Sequence, residues 1–242
     1  MRVVFSVAAV IVMLPFSQLA AAASGADGWQ FELTPYLWAA GIDGELTLRG
    51  QEVEVDASFS DIADTLDVGG SLLAEASNGR WVNWMQLDHL STDTGDVVVG
   101  PVRADLESKT TMMAVGTGWR FPGFGARSTI DVLVGVRHFS IDDTLDLRGG
   151  GHIDNHMDLY DAIVALRPRL PLSTHWTFSP TLSIGGGDSD LVWEMSPQFE
   201  YNYRDRYELR VGYRNLAYDV DQGGNKIDIS FRGPVLGLGF RF

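Results

Sequence analysis

Cysteine is absent from the chain, which excludes disulfide staples, thiol nucleophiles and cysteine-held metals. Lysine is nearly absent as well: Lys109 and Lys226 are the only two. The 18 basic residues face 32 acidic ones, and the resulting formal charge of −14 excludes nucleic acid as a partner, because gripping phosphates takes a basic face. Past the N-terminal stretch, charges, glycines or prolines break every apolar run before the roughly 18 residues that a spanning helix needs. Such a chain can cross a membrane only as a closed barrel.

What is present begins with a targeting pattern. Arg2 supplies a positive start, Val3 to Phe16 an apolar run, and Ala20 to Ala23 the small residues that a signal peptidase reads. A secretory signal peptide over 1–23 is expected, cleaved after Ala22 or Ala23, with the barrel over 24–242. Arg2 is the only charge in the removed piece, so the charge goes from −14 to −15.

The dominant signal is a repeated period of two. Trp193, Met195, Pro197, Phe199, Tyr201 and Tyr203 alternate with Glu194, Ser196, Gln198, Glu200 and Asn202. Trp176, Phe178, Pro180, Leu182 and Ile184 repeat the pattern, as do Tyr207, Leu209, Val211 and Tyr213. The opening strand sets Trp29, Phe31, Leu33, Pro35 and Leu37 against Gln30, Glu32, Thr34 and Tyr36. Alternation of this kind marks half-buried strands. A soluble sandwich would put lysines on the wet face. Here that face carries Gly, Ser, Thr, Glu and Arg, which suits a crowded lumen. Trp29, Trp81, Trp119, Trp176, Tyr203, Tyr207 and Phe242 collect at one rim, as an interfacial aromatic girdle does. Lipid is the environment that fits.

About ten antiparallel strands are expected in an all-β, up-and-down transmembrane barrel, at roughly 29–40, 66–77, 81–91, 108–120, 128–141, 157–168, 175–185, 191–203, 206–218 and 227–242. Counts of 8 or 12 fit almost as well. Short turns such as Asn78-Gly79-Arg80 alternate with longer polar connections at 41–65, 92–108, 142–155 and 219–226. Within the first of these, 44–55 reads as a small hairpin and 59–66 as a turn or two of helix capped by Ser60. A bulge is expected at Gly233-Pro234, because Ile227, Ile229 and Phe231 belong to one parity and Leu236, Leu238, Phe240 and Phe242 to the other.

The last nine residues, Pro234 to Phe242, resemble the C-terminal strand of outer-membrane barrels, which ends on phenylalanine. The resemblance implies that Phe240 and Phe242 form the signal read by the barrel-assembly machinery. More broadly, Pro35-Tyr-Leu-Trp-Ala-Ala-Gly-Ile-Asp-Gly44 and Phe59-Ser-Asp-Ile-Ala-Asp-Thr-Leu66 resemble a family of uncharacterised proteobacterial outer-membrane proteins. That likeness implies a barrel in the outer membrane of a Gram-negative bacterium, and brings no activity or ligand with it.

Candidate chemistry lies first in the lumen, where Glu32, Glu75, Asp131, Arg137, Asp161, Glu194, Glu200, Glu208, Arg210 and Arg214 are expected to point inward. Enclosed charges must pair or stay hydrated. The network therefore either fills the interior or lines a narrow polar conduit. The external loops are acidic, with Asp43, Glu45, Glu52, Glu54, Asp56, Asp61 and Asp64 in the first and Asp142, Asp143 and Asp146 in the third. Arg80, Arg120, Arg127, Arg167, Arg169, Arg204, Arg206 and Arg241 are placed at the periplasmic rim. An acidic mouth would enrich cations, or bridge through divalent ions to lipopolysaccharide. His152-x-Asp154-x-His156 is a weak metal pattern without a supporting shell. Asp88-His89 invites comparison with omptin proteases, yet adjacent strand residues point to opposite faces. Ser91, His89 and His138 make no case for lipid-modifying chemistry. Outward prolines at 35, 180, 197 and 234 would suit a lateral gap for hydrophobic compounds, though they also mark strand ends.

The function expected is a structural barrel or a narrow, cation-favouring pore. Transport or binding of small hydrophobic compounds is the first alternative and an outer-membrane enzyme the second. No catalytic residue, metal or cofactor is expected; the partners are outer-membrane lipid, lipopolysaccharide and the assembly machinery. Oligomeric state is not legible.

Overall fold

The structure is a computed structural model describing residues 28–48, 51–99, 102–125, 127–147, 151–204, 206–222 and 225–242. The proposed signal peptide lies outside the described residues. The strands are β1 (Gln30–Trp38), β2 (Gly41–Leu48), β3 (Gln51–Ala57), β4 (Leu66–Ser77), β5 (Trp81–Val99), β6 (Val102–Pro122) and β7 (Thr129–Leu147). They continue as β8 (His152–Pro171), β9 (Trp176–Phe178), β10 (Thr181–Gly187), β11 (Leu191–Ser196), β12 (Gln198–Tyr203), β13 (Tyr207–Gln222) and β14 (Asn225–Arg241), with a helix α1 (Phe59–Thr65) before β4.

These elements make ten staves. β1 and β2 form one, β9 and β10 another, and β11 and β12 a third; β4 to β8, β13 and β14 supply the rest. All neighbours are antiparallel. The ring closes between β1 and β14, where Glu32 faces Arg241 and Trp38 faces Val235. Breaks within staves do not alter register: Phe178 faces Phe199 below the Pro180–Pro197 interruption, and Thr181 faces Ser196 above it. The outward prolines thus leave the wall hydrogen-bonded on both sides of the break.

At the lower rim the turns are tight. Asn78 Oδ1 accepts the N–H groups of Arg80 (3.2 Å) and Trp81 (2.8 Å), and Gly79 supplies the positive φ of 80° that the turn needs. Trp81 and Trp119 face each other there, with ring centroids 4.4 Å apart. Above the rim, large apolar side chains point outward around the whole ring, among them Leu37 (66% exposed), Val134 (53%), Ile184 (59%) and Leu238 (56%). So much apolar surface would aggregate in water; between aromatic girdles it is a lipid belt.

The opposite end departs from expectation. The connections expected at 92–108, 142–155 and 219–226 are largely continuations of the staves: β5 pairs with β6 up to Val99↔Val102, β7 with β8 up to Asp146↔His152, and β13 with β14 up to Gln222↔Asn225. Lys109 therefore stands well within β6. The expected bulge at Gly233-Pro234 is also absent. β14 pairs with β13 without a shift from Tyr207↔Phe240 to Gln222↔Asn225. Phe231 points inward at 3% exposure while Leu236 and Leu238 point outward. The physical reason is a change of surroundings: above the bilayer, apolar residues belong inside, so the polarity pattern inverts while the strand runs straight.

Above the belt the staves form a crown of two facing sheets. Phe139 on β7 meets Tyr218 on β13 (4.9 Å between centroids) and Phe231 on β14 (5.8 Å) across the interior. Ile42, Ile141, Met157, Ile227 and Ile229 pack around them. β10 and β11 stop lower than their neighbours, and their turn stitches the flanking edges. Asp188 accepts the Tyr160 N–H (2.9 Å) and Asp190 the Asp221 N–H (2.6 Å), which protects otherwise bare strand edges. The helix α1 spans the other side of the crown, anchored by the buried Ile62. Its N-cap is Ser58 rather than Ser60, in a reciprocal capping box: Ser58 Oγ accepts the Asp61 N–H and Asp61 accepts the Ser58 N–H.

Candidate functional site

Inside the belt, inward positions on all the staves put charged side chains into one enclosed volume. Seven carboxylates (Glu32, Glu75, Asp88, Asp131, Glu194, Glu200 and Glu208) meet seven guanidiniums (Arg120, Arg137, Arg167, Arg169, Arg210, Arg214 and Arg241). These fourteen groups balance in charge. An eighth carboxylate, Asp161, accepts the Ser189 N–H (2.9 Å) and hydroxyl (2.8 Å).

The network has two tiers. Near the lower rim, Arg120 and Arg167 share Asp131 and Glu75, while Arg169 reaches Glu200 at 2.8 Å. Arg210 joins Glu32 (2.9 Å) to Glu208 (2.7 Å), and Arg241 closes the same pair from the last stave. In the upper tier Arg214 joins Asp88 (2.7 Å) to Glu194 (3.0 Å), Arg137 pairs with Glu194, and the Tyr36 hydroxyl donates to Asp88 (2.5 Å). The Arg214 guanidinium lies 4.1 Å over the Trp38 ring, where the charged tier gives way to the apolar crown. Gly116 leaves room for the Trp84 indole, whose Nε1 lies 2.9 Å from where a Cβ would stand.

All ten sequence-derived lumen residues lie on inward positions, and the four arginines Arg120, Arg167, Arg169 and Arg241 correct the rim assignment. Their stems start at the rim, but their heads turn inside, because unpaired carboxylates there leave a deficit of positive charge that long side chains can fill. Arg80 and Arg204 stay outside, over Trp119 (5.3 Å) and Tyr203 (5.1 Å). Asp88 and Tyr36 were missed as network members. The signal for them was available in parity, since both sit two residues from polar inward neighbours on their strands.

A cavity of about 50 Å³ remains between the tiers, lined by Arg137, Glu194, Gln198, Arg210 and Arg214 among others. It is roomy enough for a few waters. Asp88 and His89 do not meet: Asp88 is inside, and His89 outside contacts Thr111 (3.0 Å).

On the outer face of the crown, β7 and β8 carry a ladder of histidines and aspartates. His138 contacts Asp158 (2.8 Å), which contacts His156 (2.6 Å), which contacts Asp142 (2.5 Å); His152 bridges Asp146 (2.7 Å) and Asp154 (2.9 Å). The His152-x-Asp154-x-His156 triplet is strung along a strand, and each histidine pairs both across to β7 and with the next aspartate along β8. Among the described residues no three such side chains converge on a metal position. Hydrogen bonding to Asp146, then the charge of Asp154, holds His152 above the ordinary imidazole range, and hydrogen bonds to Asp142 and Asp158 do the same for His156.

At the C-terminus, Phe242 exchanges backbone hydrogen bonds with Phe31, and the Phe240 ring meets Tyr207 at 6.0 Å.

A closed antiparallel ring of ten staves, apolar outside and ion-paired within, defines a transmembrane β-barrel. No family model and no curated protein matches the chain. Among solved structures it is similar to Ail, the attachment invasion locus protein of Yersinia pestis (12% identity over 88% of this chain and 99% of that one, TM-score 0.42). The translocator domain of the autotransporter NalP from Neisseria meningitidis is matched at 12% identity over 94% and 95% (TM-score 0.44). The P. putida toluene transporter TodX is matched at 11% identity over 92% of this chain and 91% of that one (TM-score 0.30). Likenesses this loose carry no role across to this chain.

Proposed function

We propose that the protein is a non-conducting, non-enzymatic barrel of a Gram-negative outer membrane, which anchors a rigid acidic crown at the cell surface. One observation carries the reading: the walls touch across the interior at Phe139, Tyr218 and Phe231, above a dense ion-pair network. A cation-favouring passage would need a continuous wet path with excess negative charge along it. A route for hydrophobic compounds would need a pocket where the apolar crown core is instead packed. In this role Phe240 and Phe242 serve recognition by the assembly machinery, and lipopolysaccharide surrounds the crown.

The test is single-channel recording of the refolded protein in planar bilayers under a salt gradient. Insertion without conductance is expected. Steady cation-selective steps would overturn the reading in favour of the pore.

A further inference from the structure

The belt is not uniform. One row of paired residues, just above the lower rim at Asn83 and Thr117, runs Phe242, Phe31, Ala76, Asn83, Thr117 and Val134 around the outside. Large side chains bound it at both ends and small or polar ones occupy its centre. In the next row up, Ala74 lies between Leu33 and Met85. The result is a depression of about 670 Å³ in the lipid-facing wall, floored by Ala74, Ala76, Asn83 and Thr117. That volume falls within the ~300–1,000 Å³ range of small-molecule sites.

Two further observations say what the depression accepts. Thr117 Oγ1 donates to Asn83 Oδ1 at 2.8 Å, and both side chains are exposed on the belt. This leaves the Asn83 amide N–H groups facing outward, two residues above the Trp81–Trp119 girdle. Two residues of a tilted strand rise roughly 5 Å, which is the ester depth of the leaflet rather than its hydrocarbon middle. At the girdle itself, exposed Arg80 lies over the outward Trp119 ring, with its charge at headgroup level.

We propose that this face is a binding site for one anionic glycerophospholipid of the inner leaflet. The Arg80 guanidinium pairs with the phosphate, the Asn83 amide donates to an ester carbonyl, and one acyl chain fills the depression over Ala74 and Ala76. The assignment to the inner leaflet rests on the orientation that puts the tight-turn rim in the periplasm; it does not depend on whether the lumen conducts.

The experiment is native mass spectrometry of the detergent-purified full chain titrated with phosphatidylglycerol, with phosphatidylethanolamine in parallel. One phosphatidylglycerol per barrel is expected to survive at activation energies that strip the remainder. Ala76→Phe, which fills the depression, should abolish that retained lipid. Asn83→Leu should weaken it by roughly 2- to 10-fold, the worth of one hydrogen bond. Arg80→Gln should remove the preference over phosphatidylethanolamine. Ala162→Phe, another outward small position on a different stave, is the control, and heat-modified gel migration establishes that each variant is folded. Retention unchanged in Ala76→Phe, or lost equally in Ala162→Phe, would overturn the proposal and leave only bulk lipid solvation. No preference between the two lipids in the unaltered protein would overturn the assignment to an anionic headgroup.

Discussion

Replacing Arg214 by methionine tests whether the interior shuts out bulk water. Arg214 is 2% exposed and donates to Asp88 (2.7 Å) and Glu194 (3.0 Å), with its plane on Trp38 (4.1 Å). Methionine keeps much of the volume and removes the charge. Glu194 retains Arg137 and Asp88 retains the Tyr36 hydroxyl, so the orphaned carboxylate is chiefly that of Asp88. Breaking a buried pair from one side costs about 3–5 kcal/mol. With an m-value of about 2 kcal/mol/M, that lowers the urea midpoint in lipid vesicles by about 2 M. Adding Asp88→Asn removes the orphan charge and should restore about half of the loss, a coupling that a double-mutant cycle reads directly. A single-variant cost below about 1 kcal/mol, the worth of a solvated pair, would refute the reasoning and place water throughout the lumen.

Val134→Arg, on the lipid face two residues below the outer limit of the hydrocarbon, should cost about 1–3 kcal/mol, whereas Thr144→Arg, farther up the outward face of β7, should stay within about 0.5 kcal/mol; the same urea titration compares them. Phe139→Ala should cost about 3–5 kcal/mol and speed amide exchange in the crown while leaving the lower staves protected; uniform loss of protection would argue against a separately packed core. The raised His152 and His156 values set a sign for pH. A group whose folded pKa lies above its unfolded one contributes most below the unfolded value of 6.5 and loses that contribution as pH rises through the folded value. Protection of β7–β8 amides above the belt, corrected for the intrinsic pH dependence of exchange, should therefore be greatest in mild acid and fall above neutrality, with imidazole resonances titrating above 6.5; a midpoint at or below 6.5 would refute the pairing.

The belt half of the barrel was legible because alternation survives wherever one face meets lipid and the other a polar lumen. Glu194, Glu200, Glu208 and Arg210 follow from parity alone. The ion pairs themselves were not legible. Arg120 and Arg241 begin at the rim, and nothing in sequence spacing says whether a flexible stem turns toward periplasm or lumen. Only the count of inward carboxylates, which exceeds that of the inward arginines read from parity, hints at more cations. The strand extents were missed for a related reason. Segments such as 92–108 and 142–155 are rich in polar residues, and a polar sheet above the bilayer resembles a loop when lipid is assumed to define the strand.

The error at Gly233-Pro234 carries the more general physical point. On β13 the outward residues change from Tyr207, Leu209, Val211 and Tyr213 to Asn215, Asp219 and Asp221, while the inward ones change from Glu208, Arg210 and Arg214 to Leu216, Tyr218 and Val220. β7 does the same, from Val134 and Val136 outside to His138 and Asp142, and from Asp131 and Arg137 inside to Phe139 and Ile141. A register slip would move one strand and leave its neighbours in place. Here β7, β13 and β14 invert at one level while every cross-strand pairing between β13 and β14 holds. Only a change in the outer medium produces an inversion shared by independent strands. The level of Tyr213, Val136 and Pro234 therefore marks the outer limit of the hydrocarbon, and above it the same chain obeys the rules of a water-soluble sheet pair.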